Sequence, residues 1–438
     1  MNHSLPSYLE QPASLYRLQK AKRSNETWRE RIVTRTPHPK QQQFIDSTAK
    51  RKVIRAGRRG GKTTGIAIAA LQLFKAGRRV LYATPTQDQI DAFWFELCLA
   101  LDELADERIL YKNETRHLFE VSGTKNRIRA KTAWNANTLR GDYADFLILD
   151  EYQLMHEETW DRAGAPMLMD NNGDAVFIYT PPSLNSRAVS KADDPRHAAK
   201  LFKKATAETG GLWEAFHFTS YDNPHVSAEG IELIAGDMTK LSREQEILAE
   251  DDVEIPGALW RQTEIDALRV TEYPTMARVV VAIDPMGSVE SPGAECGIIV
   301  AGIGRDGHFY PLEDVSLSAT PDGWARAAIA AYDRWDADRI IAEKNYGGDM
   351  VASTLRTVDR NIPLKLVTAT RGKMVRAEPV AALYEQGKAH HVGEFPALEY
   401  ELCSYNGTGR SPNRMDALVW AGTELMGKER REARSFQG

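Results

Sequence analysis

Two stretches of the sequence carry residue types that handle phosphate groups and metal ions. The first is Ala56-Gly57-Arg58-Arg59-Gly60-Gly61-Lys62-Thr63-Thr64, which lies between a short apolar run and an Ala-rich apolar segment. Its glycines let backbone N–H groups approach a phosphate closely, its lysine supplies a cation for the β- and γ-phosphates, and Thr63 offers a hydroxyl to Mg²⁺. The pattern predicts a strand, a phosphate-binding loop and a helix. The alternative is a Gly-rich helix entry that binds nothing.

Two features of this loop are unusual. The P-loop pattern starts with glycine, whereas this loop starts with Ala56, a small residue that is still compatible with the turn. Arg58 and Arg59 place cations inside the loop, where they would lie beside a γ-phosphate or reach toward a neighbouring subunit. We therefore count the whole run from Ala56 to Thr64 as nucleotide-binding.

The second stretch is the apolar run 144–149, which ends in Asp150 and Glu151. Such a run is typical of a buried strand at the centre of a parallel sheet. Asp150 would hold Mg²⁺ through water, and Glu151 would orient or deprotonate the water that attacks ATP. The alternative is a hydrophobic strand that ends in two acids by chance.

Two polar residues are weaker candidates for the same site. Gln43, shortly before the loop, has an amide that can recognise the edge of an adenine, although it also suits a polar helix start. Thr180 ends the apolar run 175–179, where a residue can sense the γ-phosphate, although a simple polar turn has the same pattern.

Three further acids form a candidate metal site in the C-terminal part. Asp284 and Glu343 each end an apolar run, and Asp416 lies at the start of the last helical segment. A mixed sheet beginning with a hairpin would bring them close together, and divalent ions would relieve their mutual repulsion. Two-metal sites use such carboxylates to cleave phosphodiesters. The alternative is three unrelated surface or capping acids.

The pattern of strands and helices around these residues predicts an α/β protein with two main domains. The first would contain a parallel sheet and the P-loop; the second would contain a mixed sheet. The predicted boundaries are a basic N-terminal arm (1–36), a P-loop ATPase core (37–182), a lid or small subdomain (183–255), a linker (256–275) and a C-terminal domain (276–438).

Composition is that of an ordinary globular protein. Of the 438 residues, 42% are hydrophobic and 27% charged, which is enough apolar material for two cores. The three cysteines are isolated, which indicates a reducing compartment rather than a disulfide framework. No run has the length of a membrane span, so we expect no membrane association. A net charge of −5 neither indicates nor excludes nucleic-acid binding.

The order of these motifs resembles the large terminase subunit of tailed bacteriophages from about residue 37 to 427. The matching features are the loop with its internal arginine and the strand ending in Asp150 and Glu151, then 180–182, the strand ending in Asp284, 343–348, 371–373 and 413–417. No single motif would be specific, but the combination is. The resemblance implies an ASCE-type P-loop ATPase domain joined to an RNase H-like endonuclease domain.

The resemblance also implies roles for individual residues. Lys62 and Thr63 match the phosphate and Mg²⁺ ligands, and Arg58 matches the arginine within the family's loop. Asp150 and Glu151 match the Walker B acid and the catalytic glutamate, and Arg140 is similar to an arginine finger that acts across subunits. The nuclease metal ligands, for Mg²⁺ or Mn²⁺, match Asp284, Glu343 and Asp416.

For the whole chain, the resemblance implies a motor that uses ATP to move double-stranded DNA into a procapsid and cuts concatemeric DNA. The implied partners are a portal protein and a small terminase subunit, with a homo-oligomeric ring on the portal, in the host cytoplasm. Two rivals remain: a helicase-like DNA translocase with a non-catalytic C-terminal domain, and an assembly protein that binds ATP without hydrolysing it. Glu151 argues against the latter.

Overall fold

The protein was analysed as a computed structural model that describes residues 28–133, 135–181, 190–251, 255, 257–285, 295–344, 348–369, 372–408 and 412–435. The chain divides into two compact units, Met1–Asp251 and Asp252–Gly438. Among the described residues, no helix combines the length and the apolar character needed to cross a bilayer.

The N-terminal unit is an α/β domain built on one sheet. Its strands are β1 (Arg51–Ala56), β2 (Val80–Thr84), β3 (Leu110–Asn113), β4 (Leu118–Val121), β5 (Arg127–Thr132), β6 (Phe146–Asp150), β7 (Asp174–Tyr179) and β8 (Trp213–Phe218). Its main helices are α1 (Pro39–Asp46), α2 (Lys62–Lys75), α3 (Ile90–Asp106), α4 (Ala165–Met169), α5 (His197–Ala207) and α6 (Ala228–Gly236). Shorter helical turns are Ala136–Leu139, Tyr152–Leu154, Thr159–Gly164, Ser220–Asp222, Lys240–Ser242 and Arg243–Ile247.

The strand order in this sheet is β3-β4-β5-β2-β6-β7-β1-β8. The strands β5-β2-β6-β7-β1-β8, neighbours in that order, are all parallel. The central strands β2 and β6 are buried along their whole length, because cores pack on both faces of the sheet. One strand, β7, separates β1 from β6, which is the ASCE arrangement. The carboxyl ends of β1, β6 and β7 therefore meet at one edge, where a ligand binds in such sheets.

The segment 183–255, expected as a lid or small subdomain, contributes to this sheet. Its strand β8 pairs with β1 in parallel from Arg51↔Trp213 to Ala56↔Phe218. The expected boundary at residue 182 therefore does not separate the segment from the core sheet. A lid role remains a prediction for the later part of the segment, where α6 and the turns that follow it lie outside the sheet.

The C-terminal unit is built on a mixed sheet of five strands, ordered β11-β10-β9-β12-β13. The strands are β9 (Met276–Asp284), β10 (Gly297–Gly304), β11 (Phe309–Asp314), β12 (Arg339–Glu343) and β13 (Leu364–Val367). The helices are α7 (Gln262–Leu268), α8 (Pro321–Arg334), α9 (Gly348–Val358), α10 (Lys373–Glu385), α11 (Pro396–Ser404) and α12 (Asn413–Ser435). Strands β9 to β11 are antiparallel neighbours, whereas β12 and β13 run parallel to β9 or to each other.

The start of α12 lies against the sheet at Gly297. A Cβ atom on Gly297 would stand 2.1 Å from the carbonyl oxygen of Asn413, so only glycine permits this contact. Gly297 is also the register partner of Asp284. This packing brings the first turn of α12 to the end of β9. The predicted linker is partly helical, because α7 lies inside 256–275 and packs against the same core through Ile265.

Candidate ATPase and nuclease sites

The loop between β1 and α2 has the backbone of a tight phosphate-binding turn. Gly61 caps α2 with φ +87°, a left-handed conformation that favours glycine, and Arg59 has φ +60°. A Cβ atom on Gly57 would lie 2.5 Å from the carbonyl oxygen of Ile247, so the turn Arg243–Ile247 closes tightly over the loop. The loop therefore presents the start of α2, with its positive dipole end, to the edge of the sheet.

Lys62 contacts two of the predicted site residues, Glu151 and Thr180. Its Nζ lies 2.5 Å from Oε1 of Glu151 and donates to Oγ1 of Thr180 at 2.5 Å. The Thr180 hydroxyl in turn donates to the carbonyl oxygen of Ala56 at 3.0 Å. The ammonium group of Lys62 thus links the ends of β6 and β7, and the Thr180 hydroxyl links β7 to β1. A γ-phosphate would compete with Glu151 for the ammonium group.

Asp150 ends β6 and is buried, with an exposed fraction of 3%. The hydroxyl of Tyr82 donates to its Oδ2 at 2.7 Å, and the backbone N–H of Glu151 donates to its Oδ1 at 2.9 Å. Burial, together with the charge of Glu151, raises the pKa of Asp150 to about 6. A divalent cation would remove this penalty, which fits a Mg²⁺ ligand. Nothing in the sequence pattern points to Tyr82 beyond its place on β2.

Glu151 has φ +53°, which is rare for a residue with a Cβ atom and costs conformational energy. Two contacts hold it there: the ion pair with Lys62, and a hydrogen bond of 2.7 Å from Nε2 of Gln153 to Oε2. Burial opposes ionisation, but Lys62 and Gln153 lower the pKa of Glu151. The side chain is therefore held as a carboxylate, the form that accepts a proton from water.

The arginines of the site differ in their contacts. Arg58 is 70% exposed, and its Nε donates to Oε2 of Glu246 at 2.8 Å. Its backbone N–H also donates to the carbonyl oxygen of Glu246 at 2.6 Å. The carbonyl oxygen of Arg59 accepts from Nδ2 of Asn223 at 2.7 Å. Arg140 follows the turn Ala136–Leu139 and is exposed.

Thr63 and Thr64 lie in the first turn of α2 and are half-buried. Gln43, in contrast, lies on the exposed face of α1. The residues of α1 that touch the loop are His38, whose Nε2 lies 3.1 Å from the Gly60 carbonyl oxygen, and Gln41, whose Nε2 donates to the Gly61 carbonyl oxygen at 2.6 Å. A single helical face carries Gln41 and Phe44 inward and turns Gln43 outward, so Gln41 rather than Gln43 contacts the loop, and adenine recognition by Gln43 stays a prediction.

In the C-terminal unit, the sheet brings Asp284 and Glu343 to adjacent strand ends. The pairing of β12 with β9 matches Ala342 to Ile283, so Glu343 lies beside Asp284. All three acids are buried, with exposed fractions of 4% for Asp284, 6% for Glu343 and 1% for Asp416. The predicted trio is therefore assembled from two strands and the first turn of α12.

The electrostatics of the trio show that its members act on one another. Burial, followed by the charges of Asp416 and Glu343, raises the pKa of Asp284 well above its ordinary value. Burial also raises the pKa of Asp416, although Lys373 and Arg376 oppose the increase. The excess of negative charge in a buried site fits the binding of divalent cations.

Three side chains complete this site. Lys373 forms an ion pair with Oδ2 of Asp416, and Arg376 approaches Oδ1 of the same residue at 3.4 Å. Trp420, one turn after Asp416, donates from Nε1 to Oε2 of Glu343 at 3.0 Å. The guanidinium of Arg376 lies over the Trp420 ring, 4.5 Å from its centroid. From the sequence, Lys373 and Arg376 are candidate contacts for DNA phosphates, with an ordinary solvated basic face as the alternative, and nothing in the pattern points to Trp420.

The ligand atoms of Asp284, Glu343 and Asp416 do not all lie within 4.8 Å of one another. Within the described residues, one group has ligand atoms that all lie within 4.8 Å of one another: His156, Glu157 and Asp193, in the N-terminal unit. The side chains of Glu157 and His156 already accept hydrogen bonds from the nearby backbone. Both oxygens of Glu157 accept backbone N–H groups, from Asp193 and Asp194, and Nδ1 of His156 accepts from the backbone of Glu158. We assign it a structural role.

Comparison with known proteins identifies the C-terminal unit. Residues 281–425 match the family described as the terminase RNaseH-like domain. The curated relatives include the large terminase subunits of Thermus virus P23-45 and Thermus phage G20c, 31% and 30% identical to this chain over 167 residues. Over the matched part, this chain is similar to the large terminase subunits. Each curated match covers 34% of this chain and 34% of the relative, so the matched part spans about a third of those proteins.

Solved terminase structures also resemble the chain. The ATPase domain of the Thermus phage P74-26 large terminase is 24% identical, with 49% of this chain and 94% of that chain covered and a TM-score of 0.39. The HK97 bacteriophage large terminase is 11% identical, with 91% and 98% covered and a TM-score of 0.46. The sheet order and the terminase RNaseH-like match, rather than these low scores, carry the fold assignment: an ASCE-type P-loop domain and an RNase H-like domain.

Proposed function

We propose that the chain is the ATP-hydrolysing and DNA-cutting subunit of a viral DNA-packaging motor. The observation that supports it most is the presence of two separate acid clusters in one chain. One lies at the P-loop edge of a parallel sheet, and the other lies in a unit that matches the terminase RNase H-like family. A phosphate-binding loop alone would fit many ATPases, and the second cluster restricts the choice.

In the ATPase site, Lys62 and the start of α2 would bind the β- and γ-phosphates of ATP, and Thr63 and Asp150 would hold Mg²⁺. When the γ-phosphate draws Lys62 away, Glu151 is left as a free carboxylate beside Gln153 and accepts a proton from the attacking water. Thr180 contacts Lys62 directly and would report the state of the phosphate to the end of β7. An arginine, Arg140 of a neighbouring copy or Arg58, would stabilise the developing charge, an effect of about 10³–10⁵ in rate.

In the nuclease site, Asp284, Glu343 and Asp416 would hold Mg²⁺ or Mn²⁺. Bound metal ions would stabilise the attacking and leaving oxygens of the phosphodiester. Trp420 orients Glu343, and Arg376 offsets the charge of Asp416. The bond cleavage itself needs no ATP in this scheme.

The proposed substrate is concatemeric double-stranded DNA, which the motor would move into a procapsid. The proposed partners are a portal protein, a small terminase subunit and further copies of this chain in a ring. The work would take place in the cytoplasm of the host. These assignments rest on the relationship to the large terminase subunits.

Plasmid digestion tests the proposal. Supercoiled plasmid is incubated with Mn²⁺ or Mg²⁺, without ATP, and with wild type, Asp284→Ala or Lys62→Ala. We expect nicking by wild type and by Lys62→Ala, and loss of nicking in Asp284→Ala. ATP turnover should be retained by wild type and Asp284→Ala and lost in Lys62→Ala.

The two rivals predict other results. A helicase-like translocase with a non-catalytic C-terminal domain would unwind DNA and would not nick plasmid under any metal condition. An ATP-binding assembly protein would bind nucleotide without releasing phosphate. Nicking by Asp284→Ala at the wild-type rate would remove the nuclease assignment.

A further inference from the structure

Two cations lie on one carboxylate of the C-terminal site, and they are held very differently. Lys373 is the first residue of α10 and Arg376 lies one turn later, so both face Asp416 from the same side of the helix. Asp416 thus has a positive group at each of its oxygens. A divalent cation that binds Asp416 must share these oxygens with them or displace one of them.

Arg376 is fixed in place. Its side chain is 10% exposed, its guanidinium stacks on Trp420, and Trp420 is itself held by the hydrogen bond to Glu343. Its planar group cannot leave Asp416 without breaking the stack. Arg376 therefore supports the site permanently.

Lys373 can move. Its side chain is 31% exposed, and it stands at the beginning of α10 on a stem of four methylene groups. Its ammonium can swing toward solvent while its backbone remains in the helix. A polyanion that approaches the site would offer the ammonium a phosphate oxygen in exchange for the carboxylate of Asp416.

We propose that Lys373 gates the metal site: it neutralises Asp416 until a DNA phosphate draws it away, and so couples metal loading to DNA binding. The inference rests on the proposed nuclease function. Lys373 is a positioning residue that acts through Asp416. The ion pair of Lys373 with Asp416 would therefore weaken metal binding in the DNA-free protein without abolishing it, and bound DNA would relieve that competition.

The first experiment measures Mn²⁺ binding to the full chain without nucleotide or DNA, by the electron paramagnetic resonance signal of free Mn²⁺. The site of interest is the one lost in Asp284→Asn. In Lys373→Met, the competing charge is gone, so the Kd of that site for Mn²⁺ should fall about tenfold. Lys373→Arg keeps the charge and should retain the wild-type Kd.

The chain offers a matched control in Lys365. It too is a partly exposed lysine paired with a buried acid of α12, Glu424, but it lies away from the three acids. Lys365→Met should leave the Mn²⁺ Kd unchanged. If Lys373→Met binds Mn²⁺ no more tightly than Lys365→Met, the gate is overturned. If Asp284→Asn removes no Mn²⁺ site, the nuclease proposal fails and the gate fails with it.

The second experiment tests the exchange with phosphate. Duplex DNA binding is measured in EDTA by fluorescence anisotropy over a range of salt concentrations. Loss of one phosphate contact should reduce the slope of log K against log salt by about one in Lys373→Met. Lys365→Met should keep the wild-type slope. An unchanged slope in Lys373→Met would show that Lys373 does not reach DNA, and would overturn the coupling.

Discussion

The two acid clusters of this chain use a lysine in the same way but are assembled differently. In the N-terminal unit Lys62 lies on Glu151, and in the C-terminal unit Lys373 lies on Asp416. The first pair joins the loop after β1 to the end of β6, two parallel strands with β7 between them, within about a hundred residues of sequence. The second site collects its parts from residue 284 to residue 420. In both proposals, the lysine pairs with the carboxylate until a phosphate arrives and takes the carboxylate's place.

The largest expected effect tests the temporary pair in the ATPase site. Glu151→Gln keeps the shape of the side chain but removes the base. ATP turnover should fall by about 10²–10⁴, while nucleotide binding persists, since Lys62 no longer has a competing carboxylate. Phosphate release and nucleotide affinity measure the two effects. A variant that still hydrolyses ATP at the wild-type rate would show that Glu151 is not the base.

The next prediction concerns a buried ion pair, Glu399 with Arg269, which is structural rather than temporary. Glu399 is fully buried and accepts from Arg269 at 2.6 and 3.0 Å and from Nδ1 of His391 at 3.1 Å. Glu399→Gln should destabilise the C-terminal unit by about 3–5 kcal/mol, since it leaves Arg269 without its buried partner. Calorimetry of the full chain would show this as a lower Tm for one transition. An unchanged Tm would contradict a structural role for the pair.

The same cluster predicts how stability depends on pH. Burial favours the neutral acid, but His391 and Arg269 lower the pKa of Glu399 well below its usual value of 4.5. The pair therefore stabilises fully above that pH and progressively less as the pH falls toward the folded-state pKa. Burial also lowers the pKa of His391 below its usual 6.5, so acidification below that value favours unfolding too. Wild type should lose stability on acidification, and Glu399→Gln should lose less.

A smaller effect is expected from Tyr82, which holds Asp150. Tyr82→Phe removes the hydroxyl and keeps the ring, which stacks on Phe93 with centroids 4.0 Å apart. The hydrogen bond favours ionised Asp150, so its loss should reduce kcat/KM for ATP by about tenfold. It should also move the acid limb of the kcat/KM profile upward from a pH of about 6. A profile that stays in place would show that Tyr82 does not act on Asp150.

The smallest expected effect lies in the nuclease site. Trp420→Phe keeps a ring under Arg376 but removes the N–H that donates to Glu343. Nicking at limiting Mn²⁺ should fall by about tenfold or less, and high Mn²⁺ should restore much of it. Plasmid nicking over a Mn²⁺ series provides the measurement. A loss that no Mn²⁺ concentration corrects would assign Trp420 a role other than positioning Glu343.

The sequence predicted the ATPase site better than the nuclease site for a physical reason. The loop 56–64 and the strand ending in Asp150 carry glycine spacing, apolar runs and charges that are readable locally. The contact of Gln41 with the loop was not predicted, because which face of α1 turns inward depends on packing against the loop. Tyr82 was missed because a buried tyrosine on a strand looks like any core residue.

In the C-terminal unit, the strands ending in Asp284 and Glu343 were predicted, but their meeting with Asp416 depends on tertiary packing. Gly297 decides it, since only glycine lets α12 approach β10 so closely. No local pattern identifies that glycine. The helix α11 was also missed: its buried acids Glu399 and Glu401 read as surface residues until Arg269 and Arg414 are seen to pair with them.

The central claim is that Asp284, Glu343 and Asp416 form a metal site that is separate from the P-loop site. Anomalous diffraction from crystals of the full chain soaked in Mn²⁺ tests it most directly. We predict a peak between these three carboxylates in wild type and none there in Asp284→Asn. A Mn²⁺ peak found only at His156, Glu157 and Asp193, with none among the three acids, would contradict the account.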